Sequence, residues 1–175
     1  MREIDAGRIT EVVRRLCIEA NCHLPQDMKN QIEACRAREG WAPAKEILDR
    51  IVDNYRAADS GNVPICQDTG MACVFLKVGQ EVHVAGDIAG AVNEGVRQGY
   101  GEGYLRKSVV RDPLDRVNTG DNTPAMIYYE LVPGDRLEIT VAPKGFGSEN
   151  MSQIKMLKPS LRQREHEPDQ DAQAL

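Results

Sequence analysis

The residues Pro64-Ile65-Cys66-Gln67-Asp68-Thr69-Gly70 run directly into Met71-Ala72-Cys73-Val74-Phe75-Leu76-Lys77-Val78. The first part places a thiol, an amide, a carboxylate and a hydroxyl in consecutive positions of a predicted tight turn. The second part is apolar and predicts a buried strand over residues 71–78. Such a turn, held by rigid elements, is typical of a functional site: a thiolate can bind iron and Asp68 can move a proton. A glycine-containing turn with a buried cysteine would give the same pattern.

The composition of the 175-residue chain suits a single domain, or one domain with a small appendage. Hydrophobic residues make up 41% of it, yet no segment approaches the roughly 20 apolar residues that span a bilayer, and the first residues form no apolar signal region. We therefore expect a soluble protein, cytoplasmic by default, with no membrane partner. The net charge of -5 and the absence of a Lys/Arg block interleaved with aromatics argue against a nucleic-acid partner.

The cysteines are odd in number, which makes a disulfide scaffold unexpected and leaves metal binding, catalysis or burial; they are Cys17, Cys22, Cys35, Cys66 and Cys73. Their spacing matches neither a CxxC zinc pattern nor the ferredoxin pattern. Cys17 falls on the apolar face of a helical pattern and Cys73 lies in the predicted strand, so we expect both to be buried.

The periodicity predicts helices before the turn, over residues 4–21, over Gln26 to Arg38, and from Pro43 to the turn at residues 59–62. The first third is therefore expected to be an all-helical layer. A further helix, capped by Asp87, is predicted to run towards Tyr100, and its glycines indicate close packing or a mobile end.

Residues 105–123 show an irregular pattern, after which strands are predicted over residues 125–131 and 136–141, joined as a hairpin. From Leu161 onwards the chain is almost wholly polar, so residues 161–175 are predicted to be a disordered tail. The predicted fold class is α+β: an N-terminal helical layer, then a mixed sheet with a C-terminal β-hairpin, then the polar tail.

Three more polar segments have the residue types of a binding site, at residues 104–108, 118–123 and 143–151. In the first, Arg106, Lys107 and Ser108 can clamp a small carboxylate, although a solvated basic turn is an alternative. The second contains side chains that cap turns without any ligand. The third offers glycine backbone that can approach an anion closely, beside Lys144. P-loop, HExxH, GxSxG and GxGxxG patterns are absent, and no catalytic histidine is expected.

Taken together, four motifs resemble the alpha subunit of class I iron-sulfur fumarate hydratases, a family that includes the tartrate dehydratase alpha subunit. The motifs are residues 64–70, residues 105–110, residues 116–125 and residues 142–152, and their order fits as well. The resemblance covers about residues 5–160. It implies that residues 1–160 are the N-terminal part of the alpha-subunit domain, which is truncated here.

The resemblance also implies a four-iron four-sulfur (4Fe-4S) cluster held by three cysteines, of which Cys66 is one, with an open iron that binds substrate. By the same resemblance, Gln67 and Asp68 contact substrate, Asp68 is the candidate for catalytic proton transfer, and Arg106 binds a carboxylate. Substrate contacts are further expected from the glycine loop, at Gly145, Gly147 and Lys144. The substrate would be a dicarboxylate, fumarate or malate, and a beta subunit would supply further catalytic groups.

The expected continuation of the family differs from this chain after Ser160. The other two cysteine ligands are expected beyond that residue, in a segment that this chain lacks, so we expect the chain alone not to hold a complete cluster. A frameshift or a premature stop would explain the change. Two other functions stay open: an L(+)-tartrate dehydratase alpha subunit, and a non-catalytic remnant or diacid-binding module.

Overall fold

The protein is described by a computed structural model over residues 1–147. Its helices and strands follow the order β1 (Arg2–Asp5), α1 (Ala6–Cys22), α2 (Gln26–Arg38), α3 (Ala42–Gly61), β2 (Met71–Gly79), β3 (Val82–Ala85), α4 (Ile88–Glu102), β4 (Met126–Val132) and β5 (Leu137–Lys144). The predicted tail at residues 161–175 lies outside the described residues. No helix among residues 1–147 has both the length and the apolar character needed to cross a membrane.

The strands form a mixed sheet, which confirms the predicted α+β class. In the main sheet β2 is central, with β4 parallel on one side and β5 antiparallel on the other. A second, two-stranded sheet pairs β1 with β3 in parallel. The strand β1 was not foreseen, so the first third of the chain is not wholly helical.

The predicted hairpin of the last two strands is wrong, because β4 and β5 are not neighbours and β2 lies between them. The most apolar strand takes the centre, where Ala72, Val74 and Leu76 are buried. The connection from β4 to β5 crosses the end of β2, and the backbone N–H of Gly79 donates to the carbonyl of Arg136 at 2.8 Å. Hydrogen bonding that would have closed a hairpin is thus made with β2 and the turn after it.

Helices α1 and α4 pack together against one face of the main sheet and form the core with it. Cys17 lies in this core with none of its surface exposed, as predicted, and burial raises the pKa of its thiol to about 12. Gly95 and Gly99 of α4 approach α1 so closely that an added Cβ would lie 2.7 Å from a carbonyl oxygen of α1 in each case. The glycines of α4 therefore serve close helix packing.

The register of β2 and β5 determines where the polar turn lies. Met71, the first residue of β2, is paired with Lys144, the last residue of β5. The turn that enters β2 and the loop that leaves β5 are consequently side by side at one end of the sheet.

Candidate functional site

The backbone of the polar turn touches the backbone of the glycine loop at Gly70. This residue has φ +59°, and a Cβ added to it would lie 2.0 Å from the carbonyl oxygen of Lys144. Only glycine fits here, since the left-handed region disfavours a side chain and the contact leaves no room for a Cβ atom. The resulting close approach places Asp68 against the loop that begins at Gly145.

The Asp68 carboxylate is held by the glycine loop. Its Oδ2 atom accepts the backbone N–H of Phe146 at 3.0 Å and that of Gly147 at 3.4 Å. These two hydrogen bonds lower the pKa of Asp68 below its ordinary value, and the bond from Phe146 has the larger effect. The positive charge of Arg106 lowers the pKa further. The group is therefore an anion at neutral pH, fixed in orientation on one side.

Two buried side chains tie the polar turn to the basic segment at residues 105–110. The hydroxyl of Thr69 donates to the carbonyl of Arg106 at 2.9 Å. Asn122, which is fully buried, donates from Nδ2 to the carbonyl of Gly70 at 3.0 Å, and its Oδ1 accepts the N–H of Ser108 at 2.7 Å and that of Val109 at 3.1 Å. The turn and the basic segment thus form one hydrogen-bonded unit.

These segments enclose an open cleft of about 580 Å³. Its lining is Asp68, Met71, Arg106, Lys107, Ser108, Val109, Val110, Arg116, Asn118 and Phe146. Three cationic side chains and one carboxylate of the described residues therefore face a single space. Within residues 1–147, none of the three cationic side chains donates a hydrogen bond or forms a salt bridge. A cleft with such cations suits a ligand with more than one negative charge.

The predicted site residues are only partly brought together by the structure. Asp68 and Arg106 both line the cleft, and Gly145 and Gly147 adjoin it through Asp68. Gln67 is exposed in the same turn but does not line the cleft formed by residues 1–147. Lys144 does not line it either, and its ammonium donates to the carbonyl of Gly145.

Two lining residues, Arg116 and Asn118, were not among the predicted site residues. An isolated bridge between Val110 and Asn118 folds their segment back onto the basic segment, and Asn118 Nδ2 donates to the carbonyl of Lys107 at 2.9 Å. The signal in the sequence was the turn-forming pattern at residues 118–123, which is also common without any ligand. Asn122 was missed for the same reason.

The described residues fit one ligand of a metal cluster but not a full set. Cys66 is exposed in the turn, and its Sγ atom accepts the N–H of Asp68 at 3.4 Å, as a thiolate ligand would. Among residues 1–147, however, no three His, Cys, Asp or Glu side chains form a group that could hold a metal ion. A cluster at Cys66 would need its other ligands from outside this range.

The fold and cleft define an α+β protein with a cationic site at one end of a mixed sheet. A family model described as fumarate hydratase (Fumerase) matches residues 10–167, and the chain belongs to this family. It is 40% identical over 160 residues to the putative L(+)-tartrate dehydratase subunit alpha of Methanocaldococcus jannaschii, covering 87% of this chain and 56% of that protein.

A second relative is the L(+)-tartrate dehydratase subunit alpha of Escherichia coli strain UTI89, with 30% identity over 158 residues, 88% of this chain and 52% of that protein. The corresponding protein of strain K12 is 29% identical over 158 residues, which again cover 88% of this chain and 52% of that protein. The chain thus spans about half the length of the curated relatives it matches.

Proposed function

We propose that the chain is part of a hydro-lyase that hydrates fumarate to (S)-malate reversibly. The observation that carries this proposal is the cleft in which Asp68 faces Arg106, Lys107 and Arg116. A four-carbon diacid has two carboxylates and needs more than one cation to balance their charge. An arginine side chain can bind a carboxylate through two parallel hydrogen bonds, in bidentate fashion. Membership of the fumarate hydratase family supports the reaction type.

In this proposal Arg106 binds one carboxylate of the substrate and the anionic Asp68 is the group that exchanges a proton with it. Both side chains line the same cleft, which is what a role on one small molecule requires. Gln67, Lys144, Gly145 and Gly147 are proposed as further contacts around the turn and the glycine loop. Their support is position beside Asp68 and the family resemblance.

We further propose that Cys66 is one ligand of a 4Fe-4S cluster, which when bound supplies a Lewis-acidic iron to the hydroxyl that leaves. The exposed thiol, adjacent to Asp68, supports this role. Anaerobic reconstitution of the chain by itself, followed by iron quantification, is expected to give less than a stoichiometric cluster. A stoichiometric and active cluster would refute that expectation.

The second candidate function is dehydration of L(+)-tartrate, which is favoured by the names of the relatives reported above. Tartrate is also a four-carbon hydroxy diacid, so the same cationic cleft suits it. The relatives' designation as alpha subunits supports a beta-type subunit as the partner.

We also propose a cytoplasmic location, because five unpaired cysteines suit a reducing compartment.

The proposal is tested by calorimetric titration of the purified chain with L-malate, fumarate, L(+)-tartrate and the monocarboxylate lactate. We expect the diacids to bind at least about tenfold more tightly than lactate, since one additional charged hydrogen-bonded pair contributes roughly 1.5–3 kcal/mol. Equal affinity for lactate, or no heat with any diacid, would contradict the proposal. An anaerobic assay of a full-length homologous alpha subunit together with its beta-type subunit, on both diacids, then separates fumarate from tartrate as the substrate.

A further inference from the structure

The Asn122 side chain is the most completely buried polar group near the cleft. It has no exposed surface, and its backbone lies in the left-handed region at φ +63°. Asparagine tolerates this conformation better than most residues that carry a Cβ atom. Glycine, which has no Cβ atom, adopts it without strain. The backbone at this position therefore permits asparagine, but it does not explain why an amide has to be buried there.

The hydrogen bonds of Asn122 explain its burial. Three of its partners are main-chain groups, and they belong to two separate segments: Gly70 on the turn, and Ser108 and Val109 on the basic segment. Ser108 and Val109 also line the cleft. One buried side chain thus connects the segment that carries Asp68 with the segment that carries the cations.

A second connection runs beside the first. Thr69 is buried and donates to the carbonyl of Arg106, and the hydroxyl of Tyr100 on α4 donates to the carbonyl of Thr69 at 2.8 Å. The turn is therefore fastened to the rigid core on one side and to the basic segment on the other. Asn122 is the only described side chain that bonds to both the turn and the basic segment in this network.

A substitution with an apolar side chain of similar size would leave two N–H groups and one carbonyl unpaired in a buried place. Two of those groups belong to the lining residues Ser108 and Val109, and the third belongs to Gly70 in the turn that carries Asp68, so the damage would fall on the geometry of the site first. Small errors in the placement of binding groups weaken their combined action strongly, by up to about a hundredfold for a displacement of roughly 1 Å.

We propose that Asn122 is a positioning residue, which holds the polar turn and the basic segment at the separation that lets Asp68 and Arg106 act on one ligand. The inference rests on the proposed diacid function for its ligand. It assigns to Asn122 no contact with the substrate, since the side chain is fully buried.

Two variants separate its two connections. Asn122→Gly keeps the left-handed backbone and removes all three hydrogen bonds. In its ionised form, the Asn122→Asp variant keeps an acceptor for Ser108 and Val109 but presents a second acceptor to the Gly70 carbonyl, so it releases the turn alone. The matched control is Asn93→Ala, which removes two hydrogen bonds, to Ala89 and Ala125, at a place that does not line the cleft.

Each protein is measured for binding of L-malate by NMR titration, for backbone order parameters of residues 66–70, and for amide exchange at Ser108 and Val109. In both Asn122 variants we expect malate to bind roughly tenfold more weakly or worse, and the order parameters to fall from about 0.85 towards 0.6. Exchange at Ser108 and Val109 should accelerate in Asn122→Gly and stay slow in Asn122→Asp. Asn93→Ala should melt at a lower temperature and bind malate normally.

A merely structural role predicts a different result. Folded Asn122→Gly or Asn122→Asp protein that binds malate within twofold of the parent chain, with an ordered turn, would overturn the inference. If Asn122→Gly does not fold, Asn122→Asp decides alone. If the parent chain binds no malate, the proposed function fails; the inference about Asn122 then stands or falls on the order parameters.

Discussion

The Oδ2 atom of Asp68 accepts the backbone N–H of Phe146 at 3.0 Å, although 78 residues separate the two along the chain. The antiparallel pairing of β2 with β5 brings the two residues together, because β2 begins and β5 ends at the same end of the sheet. The carboxylate is thereby oriented by the loop opposite and kept ionised by it. The site is thus assembled by strand register and not by neighbouring positions in the sequence.

Replacement of Gly70 by alanine tests the contact between the polar turn and the glycine loop. The new Cβ would lie 2.0 Å from the Lys144 carbonyl oxygen, so the end of β5 must move. We expect a loss of roughly 3 kcal/mol or more in the free energy of unfolding, measured with urea. Gly120→Ala is the matched control: it also has positive φ, but nothing lies within 4 Å, so only about 1–2 kcal/mol of backbone strain is expected. Equal losses would show that the contact is unimportant.

Replacement of Arg116 by alanine tests its part in the cationic cleft. Loss of one charged hydrogen-bonding partner should weaken L-malate binding by roughly tenfold or more, as measured by calorimetry. Arg111→Ala removes the same charge from the same irregular segment, but Arg111 is exposed and does not line the cleft of the described residues. That control should bind malate almost normally at physiological salt, where exposed charges are screened. An equal effect of both variants would indicate a general charge effect.

Asp121 makes the stability of the protein depend on pH in the acid range. Burial alone would raise the pKa of this carboxyl, but hydrogen bonds from the amide and hydroxyl of Thr123 and from Arg97 outweigh it and hold the pKa at about 2. The unfolded value is about 3.9. A lowered pKa stabilises the folded state above the unfolded value, and this contribution is lost as the pH falls from about 4 to about 2.

The comparison of the parent chain with Asp121→Asn isolates this contribution, because the other acids titrate in both proteins. We expect the parent to be more stable at pH 5 by roughly 1–2 kcal/mol, allowing for the partial exposure of the side chain. The difference in the free energy of unfolding should close towards pH 2. A difference that stays constant over this range would show that the charge of Asp121 is not its cause.

Much of the fold follows from local patterns in the sequence. The second helix was predicted with the bounds that it has, Gln26–Arg38, and the apolar run after the turn is the strand β2. Such signals depend on neighbouring residues, so they can be found without knowing the rest of the fold. The order of strands is different in kind. Because a short turn joins β4 and β5, the sequence predicts that they pair as a hairpin. In the structure each of them pairs with β2 instead, so they do not pair with each other.

The sequence likewise predicted some residues of the candidate site and missed others. Asp68 and Arg106 stood out because a polar turn and a basic segment are visible as clusters, and both line the cleft. Arg116 and Asn122 lie in the motif at residues 116–125 but were not predicted as site residues, since the turn-forming residues 118–123 give the same pattern whether or not they are a site. Their importance comes from tertiary contacts: the bridge from Val110 to Asn118, and the hydrogen bonds of Asn122.

The central claim is that the cleft between the polar turn and the basic segment binds a four-carbon diacid. Its most direct test is an NMR titration of the isotopically labelled chain with L-malate, in which every amide is followed separately. We predict saturable shifts that are confined to residues 66–71, 106–110, 116–118 and 144–147, and that are absent with lactate at the same concentration. Shifts elsewhere in the chain, or none that saturate, would contradict the claim.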